Sequence, residues 1–218
     1  MPSQPPPSFR GASAIVRDII SMGEIEIPAQ FRGAGAPGNT LEYLLNVNRN
    51  NYDSPDYLDW EIKFHGGQSL LTLFHKEAQP RTIMSDFVER YGWPSVNNQI
   101  SFRHTIRGVS ERGFIVDNTD NRITVSNIAD PTLVAYWEHN TILNAIGAKL
   151  RRLIVVNGIV NKRERTVIYN NATAYWDLNL LGICGAIQIG TIYIDFDCRT
   201  RRGRGTALRN HVTKFRIN

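Results

Sequence analysis

The chain has 218 residues, of which 42% are hydrophobic and 21% charged, as expected for a globular protein with one domain or two closely joined lobes. It has no apolar run of membrane-spanning length and no signal-peptide pattern, and Cys184 and Cys198 lack metal-ligand spacing, so we expect a reduced, cytoplasmic protein that does not bind membranes. The net charge of +5 is compatible with a polyanionic partner but does not identify one.

The first predicted elements lie in residues 1–45. Residues 1–10, which are proline-rich to residue 8, are expected to form a disordered tail. A short amphipathic helix is predicted from Ala12, with Gly23 as its stop, and residues 24–27 alternate as a strand does. A glycine-rich loop at 33–38 lacks the Gly-Lys-Ser/Thr of a phosphate-binding loop, and Asn39 or Thr40 can cap a helix at 41–45.

The stretch 53–63 has the clearest chemical pattern. Residues two apart in a strand face the same side, so Glu61 and Lys63 should project together while Trp60 and Ile62 face a core. Asp56 precedes them in a Pro-Asp turn. Two convergent carboxylates can hold a hard divalent cation, and a lysine beside that ion can orient a water and stabilise the charge that develops on a phosphate.

An exposed strand with a surface ion pair is the alternative interpretation of this short motif. The upstream Pro-Asp, the apolar and aromatic neighbours, and a second acid, Glu42, on the predicted helix favour a site. Asp53 or Asp59 could replace Asp56 as the first acid.

The predicted elements after Lys63 mix helices and strands. Residues 64–67 are predicted to turn. Strands are predicted at residues 69–75, 99–107, 113–118, 122–126, 153–160, 165–169 and 190–196. Helices are predicted at 83–91, 132–150 and 177–187. Because the order does not alternate regularly, we predict an α/β protein of the mixed α+β kind, with a mixed central sheet flanked by helices.

The carboxyl-terminal segment 198–218 contains no acidic residue. Glycines separate several of its arginines, which indicates a flexible loop that can reach phosphates or a guanine edge. A solvated basic tail is the alternative, but Val212, Phe215 and Ile217 could pack as a strand. The basic residues are Arg199, Arg201, Arg202, Arg204, Arg209, Lys214 and Arg216, with His211.

Five blocks in order, at 38–45, 55–63, 71–76, 102–106 and 208–216, resemble restriction endonucleases of the MvaI and BcnI type, which are relatives of the mismatch-repair nickase MutH. The resemblance runs from about residue 33 to the end. It implies a PD-(D/E)xK nuclease core in which Asp56 and Glu61 are metal ligands, Lys63 is the catalytic lysine and Glu42 completes the site. One departure is that Asp56 and Glu61 are closer in sequence than the matching pair in MutH-like proteins.

The resemblance also implies two lobes that form a DNA-binding cleft, a catalytic lobe at 11–95 and a recognition lobe at 96–218. His75 and His211 resemble the base-reading histidines of the family, although spacing alone favours a core role for His75. His104 can contact a phosphate or pack internally. The predicted DNA-binding residues are His75, Lys76, Arg103, His104, Arg199, Arg201, Arg202, Arg204, Arg209, Asn210, His211 and Lys214.

The predicted function is that of a type II restriction endonuclease that hydrolyses double-stranded DNA at a short sequence with Mg²⁺, or Mn²⁺ as a substitute. Members of this kind act as monomers that cut one strand and then the other, and a cognate methyltransferase is expected in the same system. A MutH-like strand-nicking repair endonuclease and a non-catalytic DNA-binding protein are the alternatives.

Overall fold

The structure is a computed structural model that describes residues 7–45, 60–67, 69–95, 98–201 and 207–218. The chain divides into two compact units, and both are discontinuous in sequence. The first unit consists of residues 1–71 and 146–178, and the second of residues 72–145 and 179–218. The division into a catalytic lobe at 11–95 and a recognition lobe at 96–218 remains a prediction.

The helices and strands are numbered along the chain. The helices are α1 (Pro7–Ser21), α2 (Ala36–Leu44), α3 (Ile83–Tyr91), α4 (His139–Ala145) and α5 (Leu180–Gln188), and a π-helical turn spans Ile146–Leu150. The strands are β1 (Glu24–Glu26), β2 (Glu61–His65), β3 (Leu71–His75), β4 (Trp93–Ser95), β5 (Gln99–Ile106), β6 (Phe114–Asn118), β7 (Arg122–Asn127), β8 (Asp130–Glu138), β9 (Arg152–Asn161), β10 (Thr166–Trp176), β11 (Tyr193–Thr200), β12 (Leu208–Asn210) and β13 (Lys214–Ile217). Among the described residues, no helix has both the length and the apolar character that crossing a membrane requires.

The first unit is built on a mixed four-stranded sheet with the order β1-β10-β9-β2. Strand β2 is parallel to β9, whereas the other pairs are antiparallel, as the prediction of a mixed sheet requires. Helix α1 buries Ala12, Ile15 and Ile19, a spacing that places them on one helix face. These side chains join Trp60 and Ile62 of the sheet in one hydrophobic core.

The second unit contains two sheets. The larger has the order β3-β13-β11-β5-β4, with β12 paired to β11, and the smaller is β6-β7-β8. Helix α3 contributes Phe87 to an aromatic cluster, in which its ring centroid lies 5.3–5.8 Å from those of Phe102, Phe114 and Phe196. This cluster joins the helix to strands of both sheets.

Several predicted elements are confirmed, which shows where local pattern suffices. Helix α3 has the predicted bounds and ends before Gly92, and β1, β5, β6 and β7 lie within a residue or two of their predicted positions. Phe215 and Ile217 lie in β13, whereas Val212 precedes it, so the interpretation of residues 198–218 as an entirely solvated tail is wrong.

The predicted helix at 132–150 is wrong over its first part, which is strand β8. Ala135 and Trp137 are buried at 0% and 1% exposure while the residues between and beside them are less buried, which is a period of two. Pairing with β7 satisfies the backbone of these residues, and the helix starts only at His139.

Three predicted boundaries are also wrong. Helix α1 begins at Pro7, inside the predicted tail, and residues 1–6 lie outside the described part. Helix α2 begins at Ala36 because Pro37 suits a first helical turn, so Thr40 lies within the helix and donates to the Ala36 carbonyl. Strand β2 continues through residues predicted to turn, since Phe64 and His65 pair with β9.

We predict that Gly92→Ala lowers the free energy of unfolding by about 1–3 kcal/mol, the usual cost of overpacking. A Cβ at this position would clash with the Val88 carbonyl oxygen and lie 2.5 Å from Ile100 Cγ2. Gly185→Ala is the matched control, because a Cβ there has nothing within 4 Å and Gly185 lies in helix α5. Chemical denaturation should show a loss for the first variant and no loss for the second. Equal stability of the two variants would contradict the close contact.

Candidate active site and nucleic-acid interface

Strand β2 places Glu61 and Lys63 on the same face. The Lys63 Nζ donates to Glu61 Oε1 at 2.7 Å, and Trp60 and Ile62 are buried in the core on the opposite face. This arrangement is the one that the alternation predicts. The pair belongs to the first unit, at the end of the sheet where β2 is the outermost strand.

The burial of this pair argues against a surface ion pair. The Glu61 residue is 5% exposed, and the Lys63 side chain is 19% exposed. Their register partners on β9, Leu153 and Val155, are also buried and apolar. A carboxylate removed from water in this way is costly unless a cation and hydrogen bonds compensate it, and Lys63 supplies a positive charge and one hydrogen bond, to Oε1.

The other predicted acids are only partly described. Glu42 is half-buried on α2, a helix that packs against β2. Asp56, and Asp53 and Asp59 as its alternatives, lie outside the described residues. Within the described ranges, no group of three or more His, Cys, Asp or Glu residues could hold a metal ion. Carboxylate oxygens such as those of Glu61 are the ligands that Mg²⁺ prefers. Of the two predicted metal ligands, Asp56 and Glu61, only Glu61 lies among the described residues.

His65 continues the face of Glu61 and Lys63 in β2, although the Gly-Gly that follows it in the sequence predicts a turn at this position. Its Nε2 lies 2.7 Å from the Ser69 carbonyl oxygen, and its Nδ1 lies 3.4 Å from the Asn157 amide nitrogen. A proton on Nε2 satisfies both contacts, because Nδ1 then accepts from Asn157. The signal that could have found it was the unbroken alternation of residues 61, 63 and 65.

In the second unit, strand β11 presents one polar and one buried face. Ile194, Phe196 and Cys198 are at most 1% exposed, and the residues between them point the other way. Side chains directly opposite on antiparallel neighbours share a face, so β5 and β13 extend the polar surface on both sides. We call this surface the polar face: Arg103, Thr105, Asp195, Asp197, Arg199, Lys214 and Arg216.

Ion pairs across the strands hold the polar face together. Arg103 Nε lies 2.9 Å from Asp197 Oδ1, and Arg216 Nη1 lies 2.9 Å from Asp195 Oδ2. Lys214 lies between the two acids, 3.6 Å from Asp197 and 4.0 Å from Asp195. The two acids were not predicted, although the Asp-Phe-Asp alternation in β11 could have indicated them.

Arg199, Arg201 and Arg209 lie in or next to the paired strands β11 and β12. Arg199 stands opposite Arg209 in the pairing of β11 with β12, and two like charges in register repel unless an anion lies between or beside them. The Arg199 Nε is buried and has no hydrogen-bond partner in the described part of the chain. Arg201 Nε donates to the Leu208 carbonyl. Arg202 and Arg204 lie outside the described residues.

His75 is exposed at the end of β3, so the interpretation as a core histidine is wrong. The backbone amide of the next residue, Lys76, donates to the Thr213 carbonyl. His211 is half-buried, and its backbone amide donates to the Asp197 carbonyl. Asn210 donates to Glu77 Oε2 at 3.0 Å. The backbone contacts hold Lys76 and His211 near the polar-face strands.

His104 points away from Arg103 and packs internally, one of the two interpretations that the sequence left open. Its Nε2 lies 2.9 Å from Ser110 Oγ, and its ring lies 5.4 Å from that of Phe114. Burial, followed by the positive charge of Arg112, lowers the pKa of His104 from the ordinary value of 6.5. The neutral ring is therefore favoured in the folded protein.

Comparison with known proteins gives two kinds of match. The family model described as the MvaI/BcnI restriction endonuclease family matches residues 15–218. A solved structure titled as a complex of restriction endonuclease MvaI with its cognate DNA substrate aligns with a TM-score of 0.78 and 25% identity, over 99% of this chain and 94% of that chain. MvaI in the absence of DNA aligns over the same shares with a TM-score of 0.60 and 24% identity. No curated protein matches.

We predict that the protein loses stability as the pH falls below about 6.5, in part through His104. Because folding lowers the pKa of this ring, the unfolded chain binds the proton first on acidification and is favoured. His104→Gln keeps a polar side chain but removes this titration. Unfolding midpoints between pH 7.5 and 5.5 should therefore fall less in the variant than in the parent. Parallel pH profiles would contradict the lowered pKa.

Proposed function

Because the chain belongs to the MvaI/BcnI restriction endonuclease family, and thus to the PD-(D/E)xK nucleases that the sequence predicted, we propose that it is a type II restriction endonuclease that cuts double-stranded DNA at a short specific sequence. The observation that carries the proposal is the buried Glu61 paired with Lys63 on one face of β2. A binding protein without catalysis has no need of a buried carboxylate beside a lysine, since charges of this kind are costly to bury.

The catalytic roles follow from the chemistry of these side chains. Asp56 and Glu61 would hold Mg²⁺, or Mn²⁺ in its place, with the Ile62 carbonyl as a further oxygen ligand. The bound ion supplies Lewis acidity and a template for the scissile phosphate. Lys63 positions the attacking water and stabilises negative charge on the phosphate oxygens. Glu42, on the helix packed against β2, completes the acidic set.

The polar face is the proposed DNA-reading surface. Arginine and lysine bind phosphates or the guanine edge, and an aspartate can accept from the cytosine amino group, so mixed charge suits base reading better than a purely basic surface does. The paired arginines at 199 and 209 would be relieved of their mutual repulsion by a phosphate. His75 and His211 are proposed to contact bases, with the predicted recognition lobe at 96–218 supplying most of the contacts.

The finer features of the activity are proposals drawn from the family. We expect a monomer that cuts one strand and then the other, and a methyltransferase that protects the same sequence. The restriction role is favoured over strand-nicking repair because the matching family and the DNA-bound relative are both restriction endonucleases.

We predict that Lys63→Ala lowers the cleavage rate by at least about a hundredfold, because positioned catalytic groups typically contribute 10²–10⁴-fold. DNA binding in chelator should be retained. The matched control is Arg163→Ala, an exposed cation in the turn between β9 and β10, which should cleave normally. Thermal unfolding should accompany the assay, since removing Lys63 leaves Glu61 buried without this cation.

The same assay tests the proposed function as a whole. On a plasmid with a single site the parent enzyme should give an open-circle intermediate and then linear product, only with Mg²⁺ or Mn²⁺, and sequencing the ends gives the recognition site. An open circle that persists would favour a nickase. Cleavage by Lys63→Ala at the parent rate would contradict the assignment of Lys63 as the catalytic lysine.

We predict that Arg103→Gln weakens binding to specific DNA by about 1–3 kcal/mol if the guanidinium reads a base. If the guanidinium contacts a phosphate instead, the slope of log binding constant against log salt concentration should become shallower by about one. Arg90→Gln is the control, because Arg90 is also exposed and paired to an aspartate, Asp130, but lies outside the polar face. Fluorescence anisotropy over a range of salt concentrations separates the two cases. If both variants bind as the parent does, the polar face does not contact DNA.

A further inference from the structure

The first unit contains a cavity on the side of β2 that faces away from the Glu61–Lys63 pair. It encloses about 670 Å³, within the roughly 300–1,000 Å³ range of small-molecule sites. Phe64 lines it, and because Phe64 follows Lys63 in an extended strand, its side chain points to the opposite face of the sheet. The cavity is therefore separate from the proposed catalytic residues.

The floor of the cavity is apolar and partly aromatic. Phe31 and Ile27 are both 6% exposed and line it together with Phe64 and Val160. The Phe64 ring packs edge-on against Tyr169, with 5.6 Å between centroids, and the Tyr169 hydroxyl is fixed by its bond to the Pro37 carbonyl. A planar ring entering the cavity thus meets an aromatic side chain held in place by its neighbours, the kind of surface on which nucleobases stack.

The rim carries positive charge, and none of the described residues that line it is a carboxylate. Arg32, Lys162 and Arg165 line the cavity. The Arg165 guanidinium already donates to the carbonyls of Ile27, Pro28 and Phe31, which fixes that wall but leaves its charge in place. Within the described residues, Arg32 and Lys162 make no ion pair or side-chain hydrogen bond. The positive end of α2, which begins at the lining residue Ala36, adds to the same field.

We propose that this cavity binds a small molecule with a planar aromatic ring and a phosphate, of the mononucleotide class. The ring would lie against Phe64 and Phe31, and the phosphate would contact Arg32 and Lys162 at the rim. A simple anion would leave the apolar floor unused, and an uncharged ring would leave the cations unused. The site does not depend on the proposed nuclease activity.

The test is calorimetric titration of the full chain with dAMP in chelator, so that no metal bridges the ligand to the catalytic acids. Deoxyadenosine and inorganic phosphate are the half-ligand probes, and each should bind at least about tenfold more weakly than dAMP. The double variant Arg32→Gln/Lys162→Gln should bind dAMP at least about tenfold more weakly, because it loses charge-assisted hydrogen bonds. Arg163→Gln, on the same turn but outside the cavity lining, should bind as the parent does.

Amide chemical shifts of the parent protein give a second measurement that needs no variant. On addition of dAMP, shifts should move at Ala34, Phe64 and Val160, which line the cavity. Absence of dAMP binding, shifts confined to other residues, or affinity unchanged in the double variant would each overturn the proposal. The proposal would also be overturned if non-specific duplex DNA displaced dAMP and the double variant lost as much affinity for the duplex as for dAMP. Arg32 and Lys162 would then belong to a DNA-binding surface.

Discussion

The structure of the first unit depends on compensating one buried carboxylate. Glu61 lies on a strand whose other face is in the hydrophobic core and whose neighbours on β9 are apolar, so water cannot solvate it well. Lys63 is placed by the strand period alone at the distance of a hydrogen bond. Breaking a buried pair of this kind by removing one partner costs about 3–5 kcal/mol, so Lys63 contributes to the stability of the unit as well as to its proposed chemistry.

This pairing also links fold and chemistry. The alternation that puts Trp60 and Ile62 into the core is the same one that puts Glu61 and Lys63 side by side, so a one-residue slip of β2 against β9 would expose the core and bury the charges. The polar face of the second unit follows the same rule on a larger scale. There the compensating charges come from neighbouring strands, with Asp195 and Asp197 between cations of β5 and β13.

What could be predicted from sequence follows from the range of the interactions. The Glu61–Lys63 geometry and helix α3 depend on residues that are close together in the sequence, and both were predicted. Arg103 and Asp197, which form an ion pair, are 94 residues apart in the sequence, and no local pattern indicates such a contact. Strand β8 was mistaken for a helix because Leu133, Ala135, Tyr136 and Trp137 fit both periods over a short run, and only pairing with β7 decides between them. The order of the motifs, rather than any single one, indicated the family.

The two cysteines have a consequence for how the molecule can be handled. Both thiols are buried, and burial raises the pKa of Cys198 to about 11 and that of Cys184 above its usual value. Because the thiolate is the reactive form, neither is readily alkylated or oxidised in the folded state. A single new cysteine on an exposed loop would therefore be the preferred target for a maleimide dye or spin label, and the native pair could stay in place during such labelling.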